Sequence, residues 1–266
     1  MKYFNNRTIW ITGASSGIGE GFVNHLSDFD CNLVISARRT EELERVKDAN
    51  ENGKATIYIQ PLDLGDENQV TAIAQKVLAE HKVVDLVIHC SGISQRSRVM
   101  ETSIDVQRKL MEVNFFGTIH LATLLMPKMI EQKSGHQVVI TSVMGKIGIP
   151  SRSGYAASKH ALHGFFDSLR AEHHDDNIKV TLFCPGYIHT NLAQNALKGD
   201  GNVNATTDDS IANGLSVDAF VKKALTKIAS QKEESYIGGF KEVLAIYVKR
   251  FFPSLFSKIA KGIKDS

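Results

Sequence analysis

Three side chains that suit proton transfer to a carbonyl oxygen lie within residues 142–159, which read SVMGKIGIPSRSGYAASK. If the chain is helical from Gly154 onward, Tyr155 and Lys159 are one turn apart on the same face. A lysine ammonium beside a phenol favours the phenolate, so we expect Lys159 to lower the pKa of Tyr155. Ser142, arriving from another element, would orient a carbonyl or alcohol oxygen beside the phenol. The three groups indicate ketone and alcohol chemistry, whereas the alternative is an ordinary helix-surface pair.

A glycine-rich turn follows the first apolar segment of the chain. Residues 7–12 (RTIWIT) predict a buried strand, after which come Gly13, Gly17 and Gly19 and a helical pattern through Leu26. Glycine lets the backbone approach a pyrophosphate closely, and a helix N-terminus supplies free N–H groups. Strand, glycine turn and helix therefore predict a phosphate-binding segment of a dinucleotide site.

The end of the second predicted strand, residues 31–37, indicates which dinucleotide binds. An acidic residue at this place would accept the ribose 2′-hydroxyl of NAD, but the chain has Ala37 there, followed by Arg38 and Arg39. A guanidinium suits a 2′-phosphate, so the pattern favours NADP(H). The alternative is that both arginines are solvated charges at the start of a helix.

Strand-like and helix-like segments alternate along most of the chain. Further strands are predicted at residues 55–60, 83–89, 136–141, 178–184 and 235–237, and further helices at 40–50, 67–80, 103–132, 154–173 and 217–230. This order predicts an α/β fold with a Rossmann-like, doubly wound parallel sheet of about seven strands and helices on both faces. We expect one catalytic domain over residues 1–239, with a substrate loop at about 190–215, and a helical C-terminal extension over 240–266.

Composition excludes several classes of protein. The 266 residues are 42% hydrophobic and 23% charged with a net charge of +2, which does not suggest a nucleic-acid binder. Three widely spaced cysteines indicate reduced thiols in a cytoplasmic protein, and the ten histidines form no recognisable metal-ligand set. The first residues lack the apolar core of a signal peptide, and no uninterrupted run of 18 apolar residues predicts a transmembrane helix.

In combination, these motifs resemble the classical short-chain dehydrogenases/reductases over roughly residues 5–190. The resemblance rests on Thr12-Gly13-x-x-x-Gly17-x-Gly19, Asn114, Ser142, Tyr155-x-x-x-Lys159 and Pro185-Gly186. It implies that Tyr155 is the catalytic acid/base, Ser142 the anchor of the substrate oxygen, Lys159 the ribose ligand, and Asn114 the residue that holds a proton-relay water. It also implies a small carbonyl or alcohol substrate and a homodimer or homotetramer.

The resemblance further implies a set of contacts to NADP(H). They come from Gly13, Ser15, Ser16, Gly17, Ile18, Gly19, Arg38, Arg39, Asp63, Leu64, Cys90, Gly92, Asn114, Tyr155, Lys159, Pro185, Gly186, Ile188 and Thr190. One motif departs from the family, because His89-Cys90-Ser91-Gly92 replaces the usual Asn-Asn-Ala-Gly. The change at Cys90 removes a side-chain group that ties neighbouring strands together, whereas Gly92 keeps the backbone accessible to the cofactor.

The last third of the chain resembles a narrower branch of lipid- and steroid-directed, often membrane-associated reductases, including proposed acyl/alkyl-dihydroxyacetone-phosphate reductases. Beyond Pro253, Leu255, Phe256, Ile259 and Ile263 share one helical face, and Lys258, Lys261 and Lys264 share the other. Such a tail suits peripheral contact with an anionic membrane, and the alternatives are that it covers the substrate cleft or packs on a second subunit.

Two other functions compete with an oxidoreductase. A non-catalytic dinucleotide-binding regulator would be expected to lack Tyr155 or Lys159, and the chain has both. An epimerase or dehydratase on a related scaffold would be favoured by a longer substrate domain than this chain offers.

Overall fold

A seven-stranded parallel β-sheet forms the centre of this computed structural model, which describes residues 2–204 and 214–263. Its strands are β1 (Thr8–Thr12), β2 (Asn32–Ser36), β3 (Thr56–Ile59), β4 (Leu86–His89), β5 (Gly135–Ile140), β6 (Ile178–Pro185) and β7 (Glu234–Ile237). The spatial order is β3-β2-β1-β4-β5-β6-β7. The order reverses between β1 and β4, so a crevice for a ligand is expected where their carboxyl ends part.

Helices cover both faces of the sheet. They are α1 (Gly17–Leu26), α2 (Thr40–Asp48), α3 (Glu67–His81), α4 (Ile104–Met111), α5 (Gly117–Glu131), α6 (Ser153–Glu172), α7 (Val217–Ala229), α8 (Phe240–Phe251) and α9 (Pro253–Lys261). Alternate side chains of β1 point to opposite faces of the sheet. Ile9 and Ile11 pack in a core with α1, α2 and α7, whereas Trp10 packs in a second core with α3, α5 and α6. The expected doubly wound fold is therefore confirmed.

The long helix predicted over residues 103–132 is interrupted. A π-helical turn, Glu112–Phe116, separates α4 from α5 and carries the buried Asn114. Such turns often occur at functional sites because they displace side chains from the regular helical register. The predicted break at Pro253 is present, with proline in the first turn of α9. Part of the predicted substrate loop, residues 205–213, and Lys264 of the predicted basic face lie outside the described residues.

One helical stretch, Ile104–Glu131, is long and apolar enough by length and composition to cross a membrane. This stretch contains polar residues, so it is not one of the uninterrupted apolar runs that a transmembrane helix was expected to need. In the fold, 44% of its most apolar window is buried. Leu121, Leu125 and Met129 pack in the core with α3, as expected for a core helix of a globular domain.

Candidate active site

Three of the four predicted catalytic side chains, Ser142, Tyr155 and Lys159, meet in one cleft at the carboxyl ends of the strands, and Asn114 is not among its described lining residues. Ser142 lies two residues beyond the end of β5, and Tyr155 and Lys159 lie on the first two turns of α6. All three side chains are buried. Burial of both α6 side chains excludes the interpretation as a solvated surface pair. The cleft has a cavity volume of about 140 Å³ and is also lined by the predicted residues Ile18, Cys90, Gly92, Pro185, Gly186, Ile188 and Thr190.

Lys159 is held in position by the main chain of β5. Its Nζ donates a hydrogen bond to the carbonyl of Ile140 at 3.0 Å and lies 5.8 Å from the centre of the Tyr155 ring. Burial lowers the pKa of Lys159 to about 8, because an ammonium away from water is less well solvated. The side chain can therefore exchange protons near neutral pH.

The environment of Tyr155 differs from the sequence expectation. Burial raises the pKa of its phenol above the ordinary value, and a hydrogen bond with Ser142 opposes that shift, as do the charges of Arg96 and Arg152. We expected Lys159 to lower the pKa of Tyr155, but the pKa is raised. Desolvation of the phenolate outweighs the favourable charges. At neutral pH Tyr155 is thus a protonated phenol, the form that can donate a proton.

Asn114 fixes the chain beside the cleft. Its Nδ2 donates to the carbonyl of Ile93 at 2.9 Å and to the hydroxyl of Ser158 at 3.0 Å, and its Oδ1 accepts from the N–H of Ile93 at 2.8 Å. Ser158 in turn donates to the carbonyl of Tyr155 at 2.8 Å. The π-helical turn therefore connects the segment after β4 with α6, the helix that bears Tyr155.

The glycine turn has the shape of a phosphate cradle. Gly13 has φ of +67°, and a Cβ there would lie 2.8 Å from the backbone nitrogen of Ser91, so only glycine fits without a shift. A Cβ on Gly19 would collide with the carbonyl of Gly13. Ser15 is buried, and Ser16 is the N-cap of α1, whose first N–H groups face the turn. These features fit the diphosphate of a dinucleotide.

The segment after β4 keeps its tie to β1 despite its unusual sequence. The hydroxyl of Thr12 accepts hydrogen bonds from the backbone N–H groups of Cys90 and Ser91, at 3.2 and 3.4 Å. His89 Nε2 also lies 2.8 Å from Gln137 Oε1 on β5. Main-chain groups and the His89 side chain thus connect the end of β4 with β1 and β5.

The predicted adenosine contacts lie apart from the main cleft. Arg38 and Asp63 line a separate depression near the end of β2. Arg39 is exposed at the N-cap of α2 and lines neither depression, whereas the side chain of Leu64 is part of the core. Of these four residues, the structure therefore brings only Arg38 and Asp63 together.

Sequence reasoning missed several residues that complete the site. Gln95 is fully buried and contacts the start of α6, and Arg96 and Arg152 line the cleft. From the tail, Ile246 packs in one cluster with Tyr155, Val143 and Met144, together with Phe256, which the sequence had placed on the apolar face of the tail. No motif marks Gln95, Arg96, Arg152 or Ile246.

Comparison with known proteins identifies the family. A family model described as "short chain dehydrogenase" matches residues 7–201. The chain belongs to this family of oxidoreductases. It is 40% identical to "Dehydrogenase/reductase SDR family protein 7-like" of Drosophila melanogaster over 94% of this chain and 78% of that protein. It is 38% identical to "Dehydrogenase/reductase SDR family member 7B" of Mus musculus over 97% and 81%, respectively. The resemblance to the short-chain dehydrogenases/reductases is thereby confirmed, and these relatives are named as members 7-like and 7B of that family.

Solved structures have the same fold as this dehydrogenase. A short-chain dehydrogenase from Streptomyces avermitilis superposes with a TM-score of 0.80 and 25% identity, covering 97% of this chain and 99% of the other. One from Burkholderia phymatum, solved in complex with NAD, gives 0.84 at 21% identity and 96% coverage of both chains. A metagenomic short-chain oxidoreductase in complex with NADP gives 0.71 at 24% identity, covering 88% and 96%.

Proposed function

We propose that this protein transfers a hydride between NADP(H) and a carbonyl or secondary alcohol group of an apolar, lipid-like substrate. The observation that carries the proposal is the convergence of Tyr155, Ser142 and Lys159 in one cleft next to Gly92 and Ile18. A phenol, a hydroxyl and an ammonium around one space are suited to moving a proton to or from a substrate oxygen.

When bound, the nicotinamide would supply or accept the hydride. In the direction of reduction, the neutral phenol of Tyr155 donates its proton to the carbonyl oxygen. The hydroxyl of Ser142 donates a hydrogen bond to the same oxygen as negative charge develops on it. Lys159, whose pKa is lowered to about 8 by burial, then returns a proton toward the phenol. Oxidation of an alcohol uses the same groups in reverse.

The preference for NADP(H) rests on Arg38. Its guanidinium lines the depression near the end of β2 together with Asp63, and Ala37 precedes it where an acidic residue would favour NAD. Related folds have been solved with NAD and with NADP, so the family alone does not choose between them. A charge-assisted contact from Arg38 to the 2′-phosphate would favour NADP(H) over NAD(H), which lacks that phosphate.

An apolar substrate is supported by the walls of the cleft. Val143, Met144, Leu192 and Ala193 line it, and the tail contributes Phe256 to the cluster around Tyr155. Aliphatic walls stabilise a ligand mainly by removing its apolar surface from water. Of the alternatives open for the tail, packing beside the cleft is therefore the one supported by direct contacts.

The outer face of the tail is suited to an anionic membrane surface. Its exposed large apolar residues are Phe240, Leu244, Tyr247, Phe251, Phe252, Leu255, Ile259 and Ile263. Lys249, Arg250, Lys258 and Lys261 accompany them, a composition typical of helices that lie in a membrane interface.

We propose a cytoplasmic homodimer or homotetramer that contacts membranes peripherally. Co-sedimentation with phosphatidylserine-containing but not with phosphatidylcholine vesicles is expected; protein that stays in the supernatant with both would refute membrane contact.

The decisive experiment is a substrate panel. Medium- and long-chain ketones, aldehydes and secondary alcohols are incubated with the protein and with NADPH, NADH or their oxidised forms, and absorbance at the nicotinamide band is followed. Turnover with NADPH well above turnover with NADH is expected. Binding of NADPH without turnover of any compound would favour the alternative, a non-catalytic dinucleotide-binding regulator.

A further inference from the structure

A partly buried carboxylate joins strand β7 to the turn that carries Ser142. Glu234 is the first residue of β7, and its Oε2 accepts a hydrogen bond from Lys146 Nζ at 2.9 Å. Its Oε1 accepts a second hydrogen bond from the hydroxyl of Tyr236. The side chains of Lys146 and Glu234 are only 24% and 28% exposed, so water and salt screen this ion pair less than pairs on the surface.

Glu234 is a charged carboxylate at neutral pH. Burial alone would raise its pKa, but the hydrogen bonds from Tyr236 and Lys146 outweigh burial and hold the pKa below the ordinary value. A hydrogen bond between an ammonium and a carboxylate is shorter and stronger than one between neutral groups. The contact with Lys146 is therefore of the kind that can hold a backbone turn in place.

Lys146 ends the same short turn that Ser142 begins. Ser142 is the N-cap of a single 3₁₀-helical turn, Val143–Gly145, and Lys146 follows this turn directly. The hydroxyl of Ser142 accepts a hydrogen bond from the N–H of Met144 at 3.1 Å, and its carbonyl accepts one from the N–H of Gly145 at 2.8 Å. A displacement of Lys146 is therefore passed through the turn to the serine hydroxyl.

His163 packs against the other side of this turn. It lies on α6, about two turns beyond Tyr155 and on the same face, and it is 6% exposed. Its Nε2 lies 3.1 Å from Thr141 Oγ1, and a Cβ on Gly145 would lie 2.9 Å from the imidazole ring. Its Nδ1 lies 3.7 Å from Glu234 Oε2. The turn is thus enclosed between α6 and the carboxylate on β7.

The tail supports Glu234 from the opposite direction. The ring of Tyr236 meets that of Tyr247 on α8 edge to face, with ring centres 6.0 Å apart. Tyr236 also packs against the cluster that contains Tyr155 and Ile246. Because the hydroxyl of Tyr236 donates to Glu234, β7 and α8 together form a fixed support for the carboxylate.

We infer that Glu234 is a positioning residue for Ser142 and acts through its ion pair with Lys146. This inference rests on the proposed function, because it affects turnover only if the Ser142 hydroxyl bonds to the substrate oxygen. A hydrogen bond that stabilises developing charge depends steeply on where its donor lies. Without the carboxylate, the turn loses its connection to β7 and the hydroxyl is displaced, whereas the glycine turn after β1 is unaffected. The loss should therefore appear in kcat and not in cofactor affinity.

Hydrogen exchange tests the hold on the turn without any substrate. The backbone N–H groups of residues 145–147 donate to the carbonyls of Ser142 and Val143 at 2.8 to 3.1 Å, so their exchange rates report opening of the turn. The full-length parent is compared by mass spectrometry with Glu234→Ala and with Lys146→Gln. The matched control is Glu131→Ala, which breaks the 2.7 Å ion pair with Lys128 on α5.

Exchange over residues 145–147 should be about tenfold faster in Glu234→Ala and in Lys146→Gln, and unchanged in Glu131→Ala. Exchange over β1 should stay at the parental rate in all of them, which distinguishes local opening from loss of overall stability. Lys146→Gln removes the same contact from the side of the turn, so it gives the answer if Glu234→Ala does not fold. Parental exchange over residues 145–147 in either folded variant would overturn the inference.

A double-mutant cycle with Ser142 separates positioning from general stability. With the panel compound that is turned over fastest, Ser142→Ala should lower kcat about 100-fold. Glu234→Ala should lower kcat about tenfold, with KM and the Kd for NADPH changed by less than about twofold, and Glu234→Gln, which keeps an acceptor oxygen, should lose less. In the Ser142→Ala protein, adding Glu234→Ala should lower kcat by less than about twofold, because the hydroxyl is already absent. A further tenfold loss there would overturn the inference.

The two measurements separate this inference from the proposed function. If no compound of the substrate panel is turned over, the proposed function fails, and the exchange rates alone decide whether Glu234 holds the serine turn. If NADPH-dependent turnover is found but exchange over residues 145–147 is parental in the variants, the proposed function stands and the positioning role of Glu234 fails.

Discussion

Gln95 Oε1 accepts a hydrogen bond from the backbone N–H of Gly154 at 2.8 Å. The first N–H groups of a helix have no acceptor within the helix, and Gln95 supplies one at the start of α6. A second, longer contact of 3.4 Å comes from the N–H of Tyr155 itself. At its other end, Gln95 Nε2 donates to Thr102 Oγ1 at 2.8 Å. A fully buried amide from the segment after β4 thus sets where α6 begins.

Replacing Gln95 with leucine should therefore impair catalysis through position and not through chemistry. The Gln95→Leu variant leaves the N–H of Gly154 buried without its acceptor, which should destabilise the fold by roughly 1–3 kcal/mol. We expect kcat to fall at least about tenfold because a displaced phenol is poorly placed for proton transfer. Gln95→Glu keeps an acceptor oxygen and should recover part of the turnover, as measured by steady-state kinetics and urea unfolding. Equal kcat in Gln95→Leu and the parent would contradict this role.

Removal of the Tyr155 hydroxyl should abolish most turnover while sparing the fold. Tyr155→Phe keeps the buried ring but loses the phenolic proton, so kcat should drop by at least about two orders of magnitude. NADPH binding, followed by its fluorescence, should persist because the phenol is not a phosphate ligand. The half-exposed Tyr58 on β3 offers the matched control, and Tyr58→Phe should remain fully active. Near-normal turnover in Tyr155→Phe would remove this residue from the mechanism.

Arg38 should determine the choice between the two nicotinamide dinucleotides. Arg38→Gln removes one charge-assisted contact to a 2′-phosphate and should weaken NADPH by about 2 kcal/mol, roughly 30-fold, with little effect on NADH. Lys47→Gln, on the exposed side of α2, removes a charge away from the depression and should leave both affinities unchanged. A parent protein that binds NADH as tightly as NADPH would refute the assignment.

Two phenylalanines of the tail should separate packing from membrane contact. Phe256 is 5% exposed within the Tyr155 cluster, whereas Phe252 is 63% exposed. Phe256→Ala should cost about 3–5 kcal/mol of unfolding free energy and reduce turnover. Phe252→Ala should change stability by no more than about 0.5 kcal/mol and lower binding to anionic vesicles. The measurements are chemical unfolding and vesicle co-sedimentation; equal vesicle binding by Phe252→Ala and the parent would contradict a membrane role for Phe252.

Buried histidines should make the fold sensitive to mild acid. Burial, with help from the charges of Arg7 and Lys179, lowers the pKa of His136 to about 3, and burial lowers that of His89 to about 4. The unfolded chain, with a histidine pKa of about 6.5, binds more protons, so stability is present above that pH and falls as the pH drops below it.

The His136 contribution can be isolated by its pH slope. Between pH 7 and pH 5 it should account for roughly 2 kcal/mol of lost unfolding free energy. His136→Gln loses the contacts with Tyr3 and Thr181 and should be less stable at pH 7, but its stability should fall less steeply toward pH 5. His174→Gln, at an exposed position, should leave the slope of the parent unchanged. Parallel slopes in His136→Gln and the parent would show that His136 is not buried in its neutral form.

The order of strands and helices, the glycine turn and the spacing of Tyr155 and Lys159 were accessible from the sequence. These features are local: apolar periodicity specifies an element, and a helix places residues four apart on one face. Because the carboxyl ends of parallel strands share one edge of a sheet, the gathering of Ser142 and Gly92 beside Tyr155 also followed from the predicted topology.

Tertiary structure decided what depends on burial and on contacts between distant segments. The pKa of Tyr155 is raised because desolvation outweighs the charges around the phenol, and no spacing rule reports burial. Gln95, Arg96 and Ile246 carry no motif, yet each reaches the site from a segment far from residues 142–159 in sequence. The backbone N–H of Cys90 bonds to Thr12 whatever side chain stands at position 90, so β1 and the segment after β4 stay connected, because a backbone N–H can bond to whichever acceptor the fold brings within reach.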